Sequence, residues 1–448
     1  MATLSSKVSK AQTRKLLRLC QAGSCDAPPA TPPPPLPGPA PASFSSTGGG
    51  GGGTDPGRAA LERALGGLGG SEGGLGLGLA VARDVRGPGR ETLLHRACAH
   101  GASLPLVSYL LDVVRCDPDA RNDQMKTPLH EACTSGHARI VALLLASGAL
   151  VDAHRTHSWT PLMYASSRDH VDVAALLLEH GSPVKARNQD GMTALYLAAR
   201  EGAARCARLM LDRSGTGNND SDNGSGSGSS SSSSNNEKAL INMASNTQRT
   251  PLHVAIKYDR RAIVDMLFGE AALDCGLVDS RKWGMWHEAA AVDACGVIET
   301  HLAPRGAPHA TSRDARGRTP VAVAALHGSL GVMAILLRCD GDGDGNAQFR
   351  ELVDVPDDNG NTPLALAASK GHADMCKMLI ETGRVDVDRP CAKGKRFALH
   401  LAAGFGHVGA VRVLLAAGAN RGVRDVPAGR TPFELAEVMG HAAVVEMF

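Results

Sequence analysis

Large aromatic side chains are scarce in this sequence. Phenylalanine, tyrosine and tryptophan together make up 3% of the 448 residues, whereas hydrophobic residues reach 43%. A core of this composition must be filled mainly by Ala, Leu and Val, which suits thin, closely packed layers. The length predicts two or three domains, unless a repeated unit lets one domain grow by stacking.

Disulfide patterns, membrane spans and strong net charge are missing as well. The eleven cysteines include no C-x-x-C pair, which argues for reduced thiols in the cytoplasm or nucleus and against a disulfide framework or zinc cluster. No apolar run approaches the roughly 18 residues of a membrane span. The formal charge of +2 gives no overall attraction to nucleic acid. We therefore expect a soluble monomer that contacts neither membrane nor nucleic acid.

The first 25 residues contain no acidic side chain. Several serines and the basic residues Lys7, Lys10 and Arg14 make an organellar transit peptide one interpretation of this stretch. We favour the other interpretation, in which residues 1–26 form a basic helix at the start of the fold.

One sequence pattern recurs along most of the chain, mostly at intervals of 33 to 35 residues. Such self-similarity is typical of proteins that stack one small unit many times. The ten copies are TLLHRA from Thr92, TPLHEA from Thr127, TPLMYA from Thr160, TALYLA from Thr193, TPLHVA from Thr250, GMWHEA from Gly284, TPVAVA from Thr319, TPLALA from Thr362, FALHLA from Phe397 and TPFELA from Thr431.

The residue types of this pattern predict a pair of helices in each copy. The threonine suits an N-cap, and proline at the next position presets φ without the loss of a hydrogen bond. Glycines such as Gly136 and Gly371 follow and suit a left-handed C-cap. A second helix is indicated by apolar spacing, as in residues 140–149. The predicted fold class is therefore all-α.

The pattern resembles the ankyrin repeat family. The resemblance implies a solenoid of about ten helix-turn-helix repeats, with repeats one to four in 92–213, five to seven in 239–339 and eight to ten in 353–448. Gly284 and Phe397 depart from the pattern, so we expect less regular sixth and ninth layers. We predict disordered insertions at 27–57 and 214–238, and an N-terminal cap from the helix in 1–26 together with 58–91.

An acidic, glycine-rich insertion, residues 340–352, separates repeats seven and eight. Its spacing fits the calcium loop D-x-D-x-D-G-x5-E. The residues after it offer barely two helical turns, so we favour a solvated insertion without a cofactor over a weak calcium site. The calcium alternative would make the protein a calcium-modulated adaptor. The ligands of that site would be the side chains of Asp340, Asp342, Asp344 and Glu351 and the carbonyl of Asn346.

The seventeen histidines do not indicate an enzyme. Most of them fall at fixed repeat positions, such as His95 and His130 inside the pattern and His137 after the capping glycine. A role that recurs in every layer is structural. No Ser-His-Asp or Cys-His arrangement can be identified, so we predict a nonenzymatic scaffold or adaptor.

The resemblance also implies where a protein partner would bind. In ankyrin solenoids the hairpin tips and the first helices form the concave recognition face. Exposed Trp, Tyr and Arg side chains dominate the energetics of protein interfaces, and we expect them on this face in repeats two to five. The predicted partner-binding residues are Arg121, Lys126, Arg155, His157, Trp159, Tyr164, Arg168, Arg187, Arg200, Arg249, Lys257 and Tyr258.

The first half is most similar to one member of the family, through segments such as ETLLHRACAHG and VDAHRTHSWTPLMYAS. That member is a partner of alanyl-tRNA synthetase and assists fidelity by accepting misactivated serine on lysine side chains. The resemblance implies the same partner for this chain, and it makes a translation-fidelity cofactor associated with that synthetase the alternative function. Where that member has lysines, this sequence has Arg155, Thr156, Arg187 and Gln189, and the protonated guanidinium of arginine cannot replace an amine nucleophile.

Overall fold

The computed structural model describes residues 10–21, 55–66, 79–80, 82–215, 239–302, 311–338, 352–391, 395–426 and 428–448. The chain divides into two compact units, Met1–Gln189 and Asp190–Phe448. Apart from an isolated antiparallel bridge between Cys391 and Arg396, the described residues contain no β pairing. The predicted all-α fold of ankyrin-type helix pairs is confirmed.

The first unit contains repeats one to three, and in each of them a first helix packs against a second helix. Consecutive first helices pack on one another, and so do consecutive second helices. Two upstream helices, Lys10–Gln21 and Pro56–Gly66, pack on the first and the second helix of repeat one respectively. The first helices are Leu93–Ala99, Pro128–Ser135 and Pro161–Ser167, and the second helices are Leu104–Asp112, Ala138–Ala146 and Val171–Glu179.

The second unit contains repeats four to ten, whose first helices pack in sequence order. These first helices are Ala194–Glu201, Pro251–Lys257, Met285–Val292, Pro320–His327, Pro363–Lys370, Ala398–Gly404 and Pro432–Met439. The second helices are Ala204–Gly215, Arg261–Phe268, Cys295–Val297, Leu330–Arg338, Ala373–Glu381, Val408–Ala416 and Ala442–Val445. Helix Ala204–Gly215 extends into the predicted insertion 214–238, and residues 216–238 lie outside the described part of the chain.

The first helices begin where the threonines predict. Thr160 is the N-cap of its helix, and its hydroxyl accepts a hydrogen bond from the amide of Met163 at 3.3 Å. Thr193 caps its helix in the same way through the amide of Tyr196 at 3.2 Å. Each bond satisfies an amide that has no partner inside the helix, which stabilises a helix start by about 1 kcal/mol.

The glycine at the end of the first helix is required for two reasons. Gly136 adopts a left-handed conformation with φ +79°, which side chains other than glycine rarely tolerate. A Cβ atom on Gly136 would also lie 2.6 Å from Cε1 of His170 in the next repeat. The glycine therefore both ends its helix and makes room for the histidine that joins the two layers.

The sixth repeat is irregular, as its sequence suggests. Its N-cap is Gly284, which has no hydroxyl to offer. Its second helix is reduced to Cys295–Val297 and continues as the π-helical turn Ile298–Leu302. In the ninth repeat the N-cap is Phe397, and it makes no side-chain capping bond.

Within each unit, the core of a repeat lies between its two helices and those of its neighbours. In repeat two, Leu129, Ala132 and Cys133 of the first helix are completely buried, and so are Val141 and Leu144 of the second helix. Burial of each Leu or Val side chain contributes about 1.5–3 kcal/mol. Small residues such as Ala132 let the first helices approach closely, which explains a large core with few aromatic rings.

Candidate functional site

Backbone hydrogen bonds join the hairpin tips of consecutive repeats within each unit. In the first unit, the amide of Asp123 donates to the carbonyl of Gly89 at 2.8 Å, and the amide of Gln189 donates to that of His157 at 3.0 Å. In the second unit, the amide of Ser280 donates to the carbonyl of Thr247 at 3.0 Å. These bonds set the spacing of the tip side chains, many of which were predicted to bind a partner.

In the first unit, four of the predicted residues form one cluster, which we call the Tyr164 cluster: Lys126, Arg155, Trp159 and Tyr164. The ring centroids of Trp159 and Tyr164 are 5.1 Å apart. The ammonium group of Lys126 lies 5.4 Å from the centre of the Tyr164 ring, and the guanidinium carbon of Arg155 lies 5.5 Å from it. Two cations therefore face one aromatic ring, an attraction of about 0.5–2 kcal/mol each.

The expectation that Tyr164 is an exposed contact residue is wrong, because its side chain is only 9% exposed. Lys126, Arg155 and Trp159 cover it, and they are themselves half-buried. The buried ring of Tyr164 thus packs against the two cationic side chains. Sequence position on a first helix did not reveal this burial. The predicted residues that are exposed are Arg121, His157, Arg168, Arg187 and Tyr258.

The charge of the Tyr164 cluster is only partly balanced. Lys126 and Glu131 form an ion pair, with 3.2 Å between Nζ and Oε1. The side chain of Arg155 makes no ion pair within the described residues, and its buried Nε has no hydrogen-bond partner there. Since a buried donor without an acceptor is costly, Arg155 stands out among the predicted residues.

Arg155 occupies what we call the tip position, the residue five places before the N-cap of a first helix. In repeat two the tip position is Asn122, whose side-chain oxygen accepts from the amides of Gln124 at 2.9 Å and Lys126 at 3.0 Å. Arginine has no acceptor and cannot make these bonds. The repeat-three tip is instead a short 3-10 turn, Thr156–Ser158, in which His157 has φ +64°.

The side chain of His157 is held at this tip, since its Nδ1 lies 2.7 Å from Oε1 of Gln189. Arg121 reaches the same tip, where its Nη1 donates to the carbonyl of His154 at 3.3 Å. The first unit therefore brings together six of the predicted residues around one hairpin, whereas Arg168 lies at the far end of the first helix. The six are Arg121, Lys126, Arg155, His157, Trp159 and Tyr164.

In the second unit, side chains at and near the tip position form an ionic cluster in which acidic and basic groups are paired. Arg249 is the one member of this cluster that the sequence analysis predicted as a site residue. The tip position of repeat six is Asp279, and its Oδ2 accepts from Nη2 of Arg281 at 2.9 Å and from Nε of Arg249 at 3.3 Å. Glu288, 2% exposed, accepts from both arginines at 3.0 Å. Burial raises the pKa of Glu288, although Arg249 and Arg281 oppose the shift.

An indole ring lies at the centre of this ionic cluster. The guanidinium carbon of Arg281 stands 3.8 Å from the centre of the Trp283 ring, and Nε1 of Trp283 donates to Asp314 at 3.0 Å. Asp314, the tip residue of repeat seven, also accepts from Arg318 at 2.9 Å. Burial would raise the pKa of Asp279, but hydrogen bonds from Trp283 and Arg281 outweigh it and lower that pKa. The side chain of Arg249 is therefore bound within this ionic cluster.

The other predicted residues of the second unit lie at the ends of first helices. Nε of Arg200 pairs with Glu201 at 2.8 Å. The ammonium group of Lys257 lies 5.3 Å from the Tyr258 ring, which is 45% exposed. These contacts leave Tyr258 as the accessible aromatic surface of repeat five.

The histidines of the repeat pattern are occupied by structural bonds. Nδ1 of His130 accepts from the amide of its N-cap Thr127 at 3.2 Å, and its Nε2 donates to the carbonyl of Trp159 in the next repeat at 3.2 Å. His253 repeats the arrangement with Thr250 and Trp283. Burial lowers the pKa of both rings to about 4, so they are neutral at physiological pH. Their role is to join layers.

No group of three or more His, Cys, Asp or Glu side chains that could hold a metal ion occurs among the described residues. The predicted calcium ligands Asp340, Asp342, Asp344, Asn346 and Glu351 lie outside those residues. No helix in the described part of the chain is long and apolar enough to span a membrane.

Helix pairs that start at capped threonines and are joined by histidines define a protein of stacked helical repeats. A family model described as ankyrin repeats (3 copies) matches residues 79–155, 149–223 and 286–391, and a model described as ankyrin repeat matches 395–426. The first of these covers more than half of the chain. The chain therefore belongs to the ankyrin repeat family.

Curated relatives match over shorter stretches. The chain is 38% identical over 69 residues to the 26S proteasome non-ATPase regulatory subunit 10 of Dictyostelium discoideum, a match that covers 15% of this chain and 29% of that protein. It is 30% identical over 148 residues to the neurogenic locus notch homolog protein 1 of Mus musculus, which covers 32% of this chain and 5% of that protein. The chain thus spans less than a third of the length of either relative.

Proposed function

We propose that this ankyrin repeat protein is a nonenzymatic scaffold or adaptor that binds a protein partner through the hairpin tips and first helices of repeats two and three. The observation that carries this proposal is the Tyr164 cluster, in which cationic and aromatic side chains converge on one hairpin. Arginine and tryptophan are enriched among the residues that dominate interface energetics. Two further predicted arginines are exposed: Arg121, which donates to the carbonyl of His154, and Arg168, the C-cap of the first helix of repeat three.

Affinity purification with the full chain as bait tests the proposal. The variant Arg121→Glu/Arg168→Glu reverses two exposed charges of the surface and leaves the buried Tyr164 in place. Its matched control, Arg139→Glu/Arg412→Glu, makes the same charge change at exposed positions of second helices. We expect the first variant to lose partners that the wild type and the control retain. Partners retained by the first variant and lost by the control would contradict the choice of face.

The first half of the chain resembles ankyrin repeat domain-containing protein 16. This resemblance makes alanyl-tRNA synthetase the first partner to test. Capture of serine on lysine is not part of the proposal, because Lys126 is paired with Glu131 and the matching positions include Arg155 and Arg187. Intact-mass measurement after incubation with the synthetase, serine and ATP would show a covalent adduct only if that chemistry persists. A complex without the adduct is the expected result.

A further inference from the structure

The geometry points to an acidic peptide segment as the ligand of the Tyr164 cluster, with one of its carboxylates paired with Arg155. This inference rests on the proposed function, and it names the chemical class of the partner. It is carried by the environment of Arg155 and by a comparison with the equivalent positions of repeats six and seven.

The first argument is the unmatched charge. Lys126 and Arg155 both face the Tyr164 ring, but only Lys126 has a carboxylate partner, Glu131, among the described residues. Nε of Arg155 is buried and has no acceptor among the described residues. A carboxylate placed there would accept a charge-assisted hydrogen bond, which is about twice as strong as a neutral one.

The second argument is that the second unit shows the completed arrangement. In repeats six and seven the tip position is Asp279 or Asp314, and each carboxylate holds an arginine beside the indole of Trp283. In repeat three the tip position is Arg155 itself, whose guanidinium faces the Tyr164 ring and whose backbone amide donates to the carbonyl of Trp159 at 3.0 Å. Cation and aromatic ring are present in repeat three, and the carboxylate is the part that a ligand would supply.

The third argument concerns the shape of the ligand. Arg121 is exposed, and its Nη1 donates to the carbonyl of His154, the residue directly before Arg155. In an extended peptide, residues at alternate positions point to the same side and are about 7 Å apart. Acidic residues at alternate positions can thus face Arg155 and Arg121 together, which favours an extended acidic segment over a single carboxylate.

Fluorescence anisotropy with the full-length chain tests the inference. The probe is a fluorescein-labelled peptide of alternating Glu and Ser, and its matched control has Gln in place of every Glu. We expect the Glu peptide to bind, with an affinity that falls as salt rises. Binding should also change the fluorescence of Trp159, which lies 5.1 Å from Tyr164, and the change should disappear in Trp159→Phe.

Three variants separate the cluster from general electrostatics. Arg155→Gln should weaken binding of the Glu peptide about tenfold, since it removes one charge-assisted bond. Glu131→Gln should tighten binding severalfold, because it frees Lys126 from its ion pair. Arg139→Gln removes an exposed charge from a second helix and should leave binding unchanged.

Equal affinity for the Glu and Gln peptides would overturn the inference, and so would an equal loss in Arg155→Gln and Arg139→Gln. Displacement of the Glu peptide by a single-stranded RNA oligonucleotide that binds more tightly would also overturn it, in favour of nucleic acid. If Arg121→Glu/Arg168→Glu loses its purified partner while Arg155→Gln keeps it, the proposed function stands and the acidic-ligand inference fails.

Discussion

Repeats three and six place the same kinds of side chain at equivalent positions and use them differently. Each has a tryptophan directly before the N-cap, Trp159 and Trp283, and each has an arginine near a neighbouring aromatic ring. In repeat six the tip residue is an aspartate that binds the arginines, and Trp283 is 6% exposed. In repeat three the tip residue is Arg155, and Trp159 is only half-buried.

The two repeats differ in whether the arginine near the aromatic ring has a carboxylate partner within the fold. A cluster with its own carboxylates satisfies its cations and closes around the indole, so it contributes to the folded state. In the Tyr164 cluster, Glu131 pairs with Lys126 and no carboxylate pairs with Arg155 among the described residues. Substitutions in repeats three and six can test this contrast between the two clusters.

Trp283→Ala should reduce the free energy of unfolding of the second unit by about 3–5 kcal/mol, as expected for loss of a buried aromatic side chain. It would remove the support of Arg281 and the hydrogen bond to Asp314. Urea unfolding of the full chain, followed by circular dichroism, measures the change. Trp159→Ala is the matched control and should cost clearly less; equal losses would remove the contrast between the two repeats.

Acidification should destabilise both units through their buried histidines. His130 and His253 have a pKa of about 4 in the folded protein, against about 6.5 when unfolded. The unfolded chain therefore takes up protons first. The stabilising contribution is complete above about pH 6.5 and falls towards about pH 4, by up to roughly 3 kcal/mol for each ring.

Urea midpoints measured across this pH range check the prediction. The carboxyl of Asp279, whose pKa is lowered, stays charged in this range, so its ion pairs with Arg249 and Arg281 persist while the histidines take up protons. His253→Gln should start from a lower stability at neutral pH and show a shallower pH dependence. A midpoint that does not change with pH would contradict the neutral, bonded state of these rings.

Asp279→Asn should cost about 2 kcal/mol, because it replaces the charged acceptor of Arg249 and Arg281. Glu288→Gln should cost less, since burial raises the pKa of Glu288 and its charge is expensive to keep. Thermal unfolding of the two single variants compares them directly. A larger loss for Glu288→Gln would mean that Asp279 is not the main anchor of the cluster.

Arg155→Asp would give repeat three the tip residue of repeat six, and it should change the free energy of unfolding by less than about 1 kcal/mol. The new carboxylate can accept from the tip amides as Asp279 does at 2.8 and 2.9 Å, and the buried unpaired donor is removed. Unfolding midpoints measure the effect. A large destabilisation would show that Arg155 itself supports the fold.

The repeat architecture could be predicted because its signals are local. Thr160, Pro161 and Gly136 determine where a helix starts or stops through bonds and angles within a few residues, and the structure places them as the pattern predicts. The burial of Tyr164 could not be predicted in this way, since Lys126, far along the sequence, helps to cover it. A position on the first helix indicates a face and does not reveal what lies over it.

The ionic bonds of Arg249 could not be predicted either, because its partners are distant in the sequence. Its partners Asp279 and Glu288 are 30 and 39 residues further along the chain. An alignment of the ten copies by tip position offers a signal that could have been used: Asp279 and Asp314 stand where repeat three has Arg155. The calcium loop is still a prediction, because its ligands lie outside the described residues.

The histidines that join the layers also make each interface observable. Nε2 of His130 is engaged with the repeat that follows, whereas Nε2 of His170 is engaged with the repeat that precedes it, through the carbonyl of Thr134 at 3.2 Å. Reagents that acylate imidazole react at its unprotonated nitrogen, which in His130 is Nδ1. This nitrogen is buried and accepts from the amide of Thr127, so such reagents can label His130 only after its repeat opens. Labelling rates, read one histidine at a time by mass spectrometry, would therefore map where the stack opens first.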